Sequence, residues 1–211
     1  TGVQTCALPI FGSGGREHAL AWKIAQSPLV TEVLCAPGNP GTAQVARNVA
    51  VPAGDVDGLV QLAQGEDVGL VVVGPEDPLC DGLGDRLREA GIRCFGPGAK
   101  GARLEGSKIE AKDLLERHRI PTAGSKRFDH SGRAKGYLES LTEWPQVIKA
   151  DGLAAGKGVA ICDDVDEACA AVDAIMEERR HGDAGARILV EEFMEGEEAS
   201  VFAITDGETL L

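Results

Sequence analysis

The stretch that decides the fold of the second half of the chain is Gln146-Val147-Ile148-Lys149-Ala150-Asp151-Gly152-Leu153-Ala154-Ala155-Gly156-Lys157-Gly158-Val159-Ala160-Ile161-Cys162. Apolar runs at 146–150 and 159–162 flank a loop that is rich in glycine. Such a pattern predicts two strands joined as a hairpin. We therefore expect a small antiparallel sheet here, closed by a helix from about 164 to 178.

The glycine loop of this hairpin is similar to a Walker phosphate-binding loop but departs from it twice. A Walker loop needs glycine at position 151 and a hydroxyl at position 158, where this chain has Asp151 and Gly158. We interpret the loop as a lid over a triphosphate, with its N–H groups and Lys157 facing the phosphate oxygens. Lys149 lies in an apolar run, where a buried ammonium needs an anion. The alternative is an edge-strand lysine that reaches solvent.

Between Gly12 and about residue 100, apolar runs alternate with helical patterns. This alternation predicts an α/β unit with a doubly wound parallel sheet. A loop at 12–18, which reads GSGGREH, joins the first strand to a helix and can hold a phosphate or carboxylate through backbone N–H groups. It is not a dinucleotide fingerprint, because Glu17 stands in place of the third glycine. Nicotinamide chemistry is therefore disfavoured.

Three loops of small residues follow strands of this predicted sheet, at 12–18, 37–42 and 74–79. Because the carboxyl ends of parallel strands share one edge, the three loops predict one ligand cleft. Glu76 is a candidate for binding sugar hydroxyls, and Asn39 can donate or accept a hydrogen bond. Plain Pro-Gly turns without a ligand are the alternative.

Residues 1–11 fit the pattern poorly, because Pro9 cannot donate a hydrogen bond within a central strand. One interpretation is that residues 1–11 are a non-native leader, foreign or mistranslated, that supplies a substitute first strand. We assign these residues no function.

The composition excludes several classes of partner. The chain has 211 residues and a formal net charge of −13, which disfavours non-specific binding to nucleic acid or anionic lipid. No apolar run reaches the ~18 residues of a membrane span, so we expect a cytoplasmic protein with neither a membrane nor a nucleic-acid partner. Six cysteines without a Cys-x-x-Cys pair predict reduced thiols. The sequence indicates no oligomeric state.

A predicted strand at 188–193 runs into an acidic turn. An apolar strand edge can offer backbone groups to an adenine ring, while Glu198, seven residues beyond Glu191, can accept the ribose hydroxyls. The alternative is a solvated acidic hairpin. We expect this strand and another at 199–205 to begin a further sheet.

Six motifs follow one another along the chain: GSGGREHA at 12–19, APGNPGT at 36–42, VGPE at 73–76, LEGSK at 104–108, KADGLAAGKG at 149–158 and EEFMEGEEAS at 191–200. Taken in order, they resemble the phosphoribosylamine–glycine ligase family, also called the glycinamide ribonucleotide synthetases, of the ATP-grasp superfamily. Six motifs in register are far more specific than any one glycine loop.

The resemblance implies an N-terminal doubly wound parallel-sheet (pre-ATP-grasp) domain followed by a partial ATP-grasp α+β domain. It implies a ligase of de novo purine synthesis that uses ATP with Mg²⁺ or Mn²⁺ and takes glycine and phosphoribosylamine as substrates. Glycine would be phosphorylated on its carboxylate, and the amine of phosphoribosylamine would attack the acyl phosphate. The family's metal ligands are expected beyond Leu211, so we interpret the chain as an N-terminal fragment that is inactive alone.

By resemblance, Lys108 and Lys149 are expected on the ATP phosphates, where they stabilise charge rather than act as nucleophiles. Glu191 is expected at the adenine amino group and Glu198 at the ribose. The full set expected at ATP is Lys108, Lys149, Gly152, Gly156, Lys157, Gly158, Glu191, Glu192, Phe193, Met194 and Glu198. The set expected at phosphoribosylamine is Gly14, Gly15, Asn39 and Glu76, and no metal ligand is expected within the chain.

The expected domains are a substrate domain at 1–100, an ATP-grasp region at 101–187 with a lid subdomain at about 121–187, and the start of a second, truncated sheet at 188–211. Two other functions are open: an ATP-grasp carboxylase or formyltransferase of the same pathway, and a non-catalytic nucleotide-binding or scaffold protein. Glycine-dependent release of ADP would favour the ligase over both.

Overall fold

A computed structural model describes residues 6–66, 68–153 and 158–211. These residues form two sheets with their helices. The strands are β1 Cys6–Gly12, β2 Val30–Pro37, β3 Arg47–Asn48, β4 Val71–Val73, β5 Cys94–Phe95, β6 Ser125–Phe128, β7 Gln146–Ala150, β8 Val159–Cys162 and β9 Ile188–Glu192. The helices are α1 Gly15–Ile24, α2 Val56–Gly65, α3 Asp77–Cys80, α4 Leu83–Glu89, α5 Ala99–Gly106, α6 Lys108–Arg117, α7 Ser131–Leu138 and α8 Val165–Val172.

The first sheet is parallel, with the strand order β3-β2-β1-β4-β5. Successive side chains of a strand point to opposite faces, so Ile10 and Phe11 enter different cores. Ile10 packs in a cluster with Ala21 of α1, while Phe11 packs with Leu59 of α2 and Leu83 of α4. Helices thus cover both faces of the sheet, and the predicted doubly wound α/β fold is confirmed.

Strand β1 contains Pro9, a residue that fits a central strand poorly. It is the central strand, and Ile10 and Phe11 within it are fully buried. On the β4 side it pairs at Ile10 and Phe11, and the next contact is an isolated bridge from Ala7 to Val68. Pro9 lies in the interruption between these pairings, a position where a missing N–H is tolerated. Residues 6–12 therefore supply the first strand despite Pro9.

The spacing of apolar residues predicts one helix from about 79 to 90, but the structure divides this segment into α3 and α4. Gly82 lies between them with φ +89°, a left-handed conformation that glycine adopts readily. The break turns the chain, so that Leu79 and Leu83 both reach the core shared with α2. Helix α2 itself was not singled out in the sequence.

The second sheet is antiparallel, with the order β6-β9-β7-β8. One face packs against α7 and α8 through residues such as Ile148 and Val190. The hairpin of β7 and β8 has the predicted bounds. Strand β9 differs from the expectation: it lies between β6 and β7 in this sheet and does not begin a second one. No strand forms at 199–205, where the structure has only a bridge between Thr205 and Leu210.

Within the three described ranges, no helix combines the length and the apolar character that crossing a bilayer requires.

Candidate functional site

A cavity of about 360 Å³ lies between helix α6 and the second sheet. Its charged lining comes from four separate segments of the chain. Residues four apart share one face of a helix, so Lys108 and Lys112 both reach the cavity from α6. The charged residues of the lining are Glu76, Glu105, Lys108, Lys112, Lys149 and Glu191.

Lys149 reaches the cavity because of the alternation along β7. Its neighbours Ile148 and Ala150 are fully buried on the opposite face. The Lys149 ammonium lies 2.6 Å from Oε2 of Glu191 on β9, and the side chains are 29% and 5% exposed. The sequence indicated that this lysine needs an anion, and the carboxylate of Glu191 is that anion. Lys149 nevertheless lines the cavity.

Lys108 enters the cavity from the first turn of α6. Its ammonium donates a hydrogen bond to the carbonyl oxygen of Gly152, at 3.0 Å. Burial lowers the pKa of Lys108 from its usual value, and the attraction of Asp151 partly opposes that shift. The ammonium thus lies beside the first residue of the glycine loop, where the resemblance expects a phosphate.

Asp151 is a residue whose role the sequence reasoning missed. It is 5% exposed, and its Oδ1 accepts hydrogen bonds from Ser107 Oγ (2.9 Å) and from the backbone N–H of Ile109 (2.8 Å). Its Oδ2 lies 2.6 Å from the guanidinium of Arg187. The signal in the sequence is an acidic residue directly after a buried strand, at a position where a Walker loop has glycine.

The glycine loop is described at its two ends. The carbonyl oxygen of Gly158 accepts a hydrogen bond from the N–H of Ala150, at 2.8 Å. A Cβ on Gly152 would lie 2.7 Å from the Cβ of Ala184, so only glycine fits there without a shift. The expected phosphate contacts of Gly156 and Lys157 lie outside the described residues.

The residues expected at the nucleoside are spread along the end of β9. Oε1 of Glu192 accepts a hydrogen bond from the N–H of Gly124, at 2.9 Å. Phe193, Met194 and Glu198 are exposed and do not line the cavity. The carboxylate of Glu191, the residue expected at the adenine amino group, lies between the ammonium groups of Lys112 and Lys149.

A second cavity, of about 660 Å³, lies at the carboxyl edge of the parallel sheet. Its lining includes Gly14 and Gly15, as predicted from loop position, and Glu76. Oε2 of Glu17, a buried residue, accepts a hydrogen bond from the N–H of Gly14 at 2.5 Å. A Cβ on Gly74 would lie 2.1 Å from the Glu17 carboxylate, so this glycine permits the close approach of the two loops.

Asn39 ties the first two loops together. Its side-chain amide donates to the carbonyl oxygens of Ser13 (3.0 Å) and Gly14 (3.1 Å). Its Oδ1 accepts from the N–H groups of Gly41 (2.7 Å) and Thr42 (3.0 Å). The hydrogen bonds of this amide group thus hold the two loops together. Asn39 itself does not line the 660 Å³ cavity.

Glu76 connects the two regions. It lines the 660 Å³ cavity, the 360 Å³ cavity and a third of about 480 Å³ between them. The guanidinium of Arg16 lies 3.3 Å from its carboxylate and donates to the carbonyl oxygen of Gly74 at 2.7 Å. The glycine-loop cleft and the lysine-lined cavity therefore share one carboxylate.

Other reactive groups play no part in this arrangement. Burial raises the pKa of the Cys35 and Cys162 thiols to about 11, so neither is a thiolate near neutral pH. In the part of the chain that the structure describes, no three His, Cys, Asp or Glu side chains are grouped so that they could hold a metal ion.

The chain is similar to known proteins over nearly its whole length. The family described as phosphoribosylglycinamide synthetase, N domain, matches residues 7–105, and the family described as phosphoribosylglycinamide synthetase, ATP-grasp (A) domain, matches residues 106–211. A phosphoribosylamine–glycine ligase from Allochromatium vinosum is 54% identical over 204 residues, which make up 96% of this chain and 47% of that protein. The chain thus spans about half the length of the curated relatives it matches.

Solved structures agree with these matches. A phosphoribosylamine–glycine ligase from Thermotoga maritima superposes with a TM-score of 0.78 at 31% identity, covering 97% of this chain and 48% of that one. An ADP complex of an N5-carboxyaminoimidazole ribonucleotide synthetase has a TM-score of 0.64 at 18% identity, covering 90% and 48%, and this likeness shows the fold alone. Because both halves match in order and a curated relative is more than half identical, the chain belongs to the phosphoribosylglycinamide synthetase family.

Proposed function

We propose that this chain supplies the ATP-phosphate site and the phosphoribosylamine site of a ligase. The ligase joins glycine to 5-phosphoribosylamine and yields glycinamide ribonucleotide, ADP and phosphate. One observation carries the proposal: Lys108 and Lys149 converge on one cavity that shares Glu76 with the glycine-loop cleft. Two substrates bound in neighbouring, connected sites are what a two-step ligase needs.

In the first step, a carboxylate oxygen of glycine attacks the γ-phosphorus of ATP, and ADP leaves. In the second, the amine of phosphoribosylamine attacks the acyl carbon, phosphate leaves, and the amine loses a proton. Lys108 and Lys149 stabilise the negative charge of the phosphates during transfer, which is the main contribution that a protein makes to such a reaction. A charge-stabilising role agrees with the protonated, buried cysteines.

The finer assignments are part of the proposal. Gly152 and Gly158, with Gly156 and Lys157, close over the triphosphate, while Glu192, Phe193, Met194 and Glu198 lie along the nucleoside. Gly14, Gly15 and Glu76 contact phosphoribosylamine, and Asn39 holds their loops in position. We divide the chain near residue 100 into a substrate domain and an ATP-grasp region, in a cytoplasmic enzyme. No residue described here is assigned to the metal.

The test is the variant Lys149→Ala in a full-length enzyme that carries this sequence, with Lys100→Ala as the control. Lys100 is an exposed lysine of α5 that lines neither cavity. A lost charge-assisted hydrogen bond is worth ~1.5–3 kcal/mol, so the ATP affinity of Lys149→Ala should fall by about tenfold or more. Calorimetry with ATP measures the affinity, and an assay of glycine-dependent ADP release measures the turnover.

The same assay separates the alternatives. ADP release that depends on glycine and phosphoribosylamine supports the ligase. Release that depends on bicarbonate or formate would instead point to a carboxylase or formyltransferase. ATP binding without ADP release in the presence of all substrates would favour a non-catalytic nucleotide-binding protein.

A further inference from the structure

Lys112 is the most deeply buried cation of the lysine-lined cavity, with a side chain that is 8% exposed. Its ammonium donates to Thr122 Oγ1 at 2.8 Å and to the carbonyl oxygen of Ala123 at 2.7 Å. It also lies 3.4 Å from Oε1 of Glu191. An ammonium has three hydrogens, and three acceptors surround this one. Two hydrogen bonds and one ion pair within the protein thus hold the Lys112 ammonium, so we assign it no contact with phosphate.

Glu191 lies between two lysines. Oε1 faces Lys112, and Oε2 lies 2.6 Å from the ammonium of Lys149. The Glu191 side chain is 5% exposed, whereas that of Lys149 is 29% exposed. The chain of charges thus runs from a fixed, buried cation, through a buried anion, to a cation that faces the cavity.

Lys149 needs such an anchor. Its four-carbon stem is flexible, and an ammonium is a point charge without directional preference of its own. Within the described residues, its ammonium has one charged partner, which is Glu191, so hydrogens remain for a ligand. A site that stabilises phosphate charge works best when its charges are already in place before the ligand arrives.

We propose that Lys112 is a positioning residue, which holds Glu191 and, through Glu191, sets the place of the Lys149 ammonium for the triphosphate of ATP. The proposal rests on the ATP-binding function proposed above. It gives Glu191 the role of an anchor for Lys149.

The test compares Lys112→Met, the double variant Lys112→Met with Glu191→Gln, and the control Lys100→Met, all in the full-length enzyme. Calorimetry with ATP and with inorganic tripolyphosphate measures the two affinities, and thermal unfolding measures stability. Tripolyphosphate has no adenine, so it reports the phosphate site alone. In Lys112→Met, we expect both affinities to fall by about the same factor, on the order of tenfold, while Lys100→Met keeps both.

The double variant separates positioning from simple stability. Lys112→Met leaves a buried carboxylate with one cation fewer, which lowers Tm. Glu191→Gln removes that charge, so Tm should recover in the double variant while both affinities stay low. If Lys112→Met fails to fold, the double variant still supplies both measurements.

Four results would overturn the proposal. Recovery of both affinities together with Tm would make Lys112 a purely structural residue. A loss of ATP affinity with unchanged tripolyphosphate affinity would place its effect at the adenine. Unchanged affinities in a folded Lys112→Met would refute this inference but leave the proposed function intact, provided that the wild-type enzyme binds ATP. A wild-type enzyme that binds neither ATP nor tripolyphosphate would refute the proposed function and this inference with it.

Discussion

At the scale of single residues, hydrogen-bond partners decide which lysines can take a ligand. Lys108, Lys112 and Lys149 all line the same cavity. Lys112 has three acceptors around its ammonium, whereas Lys108 donates to Gly152 and Lys149 pairs with Glu191. Sequence spacing places Lys108 and Lys112 on one face of a helix but does not distinguish these roles.

The lowered pKa of Lys108 predicts how ATP binding depends on pH. Its usual value of 10.5 is lowered by burial, since desolvation disfavours the charged form. As pH rises through the lowered pKa, Lys108 loses the charge that binds phosphate, so ATP affinity should fall. Lys108→Arg keeps its charge throughout this range and should give a flatter profile.

Calorimetric ATP titrations from about pH 7 to about pH 10 measure the two profiles. Parallel profiles for the wild type and Lys108→Arg would contradict the assignment. In the ligand-free protein, the same rise in pH changes the free energy of unfolding in the opposite direction to the ATP affinity. Because folded Lys108 binds its proton less tightly than unfolded Lys108, its contribution to stability becomes more favourable as pH rises from the lowered pKa toward 10.5.

At the scale of elements, the N-terminus of α6 is completed by residues from two segments. Ser107 Oγ accepts from the N–H of Glu110 at 3.1 Å, and Asp151 accepts from the N–H of Ile109. The N–H of Lys108 also donates to the carbonyl oxygen of Asp151, at 3.1 Å. This shared cap joins the helix that carries Lys108 to the strand that carries Lys149.

Asp151→Ala should therefore affect both stability and ATP binding. Loss of the cap and of a buried acceptor costs roughly 1–3 kcal/mol, measured by urea unfolding, and ATP affinity should fall because Lys108 loses its fixed position. Asp55→Ala is the matched control, since Asp55 caps α2 through the N–H of Gly58 and lies outside the lysine-lined cavity. It should cost ~1 kcal/mol of stability with ATP affinity unchanged. Equal losses of ATP affinity in the two variants would contradict this role of Asp151.

At the scale of the whole molecule, Glu76 lies where the two halves of the chain meet. It follows β4 of the parallel sheet, yet it lines the cavity formed by α6 and the antiparallel sheet. The carboxyl edge of the parallel sheet therefore opens toward the face of the antiparallel sheet that carries Lys149 and Glu191, and the proposed function places the two substrates in these neighbouring cavities.

Glu76→Gln should impair phosphoribosylamine binding more than ATP binding. A carboxylate accepts stronger hydrogen bonds from hydroxyls than a neutral amide does, so KM for phosphoribosylamine should rise about tenfold and KM for ATP should change little. Glu105→Gln is the control, since exposed Glu105 lines the 360 Å³ cavity but not the 660 Å³ cavity. Steady-state kinetics with each substrate varied make the comparison. A rise confined to KM for ATP would contradict the assignment of Glu76.

Local patterns predicted much of this molecule. The hairpin of β7 and β8 has the predicted bounds, and the alternation of apolar runs and helical patterns indicated the parallel sheet. The division of the predicted helix at Gly82 was missed, because a single glycine within a helical pattern does not by itself indicate a break. How β1 accommodates Pro9 could not be predicted, because whether a strand ladder is continuous at one residue depends on its neighbours.

The sequence by itself determined the bounds of the β7–β8 hairpin, the alternation of strands and helices in the first half of the chain, and the apolar surroundings of Lys149, because these depend on residues a few positions apart. Only the tertiary structure decided that β9 lies between β6 and β7, that Lys112 meets Glu191, and that Asp151 caps α6. Each of these contacts joins residues far apart in the chain. Strand order and side-chain pairing follow from burying both sheets against their helices at once, and no local pattern encodes that outcome.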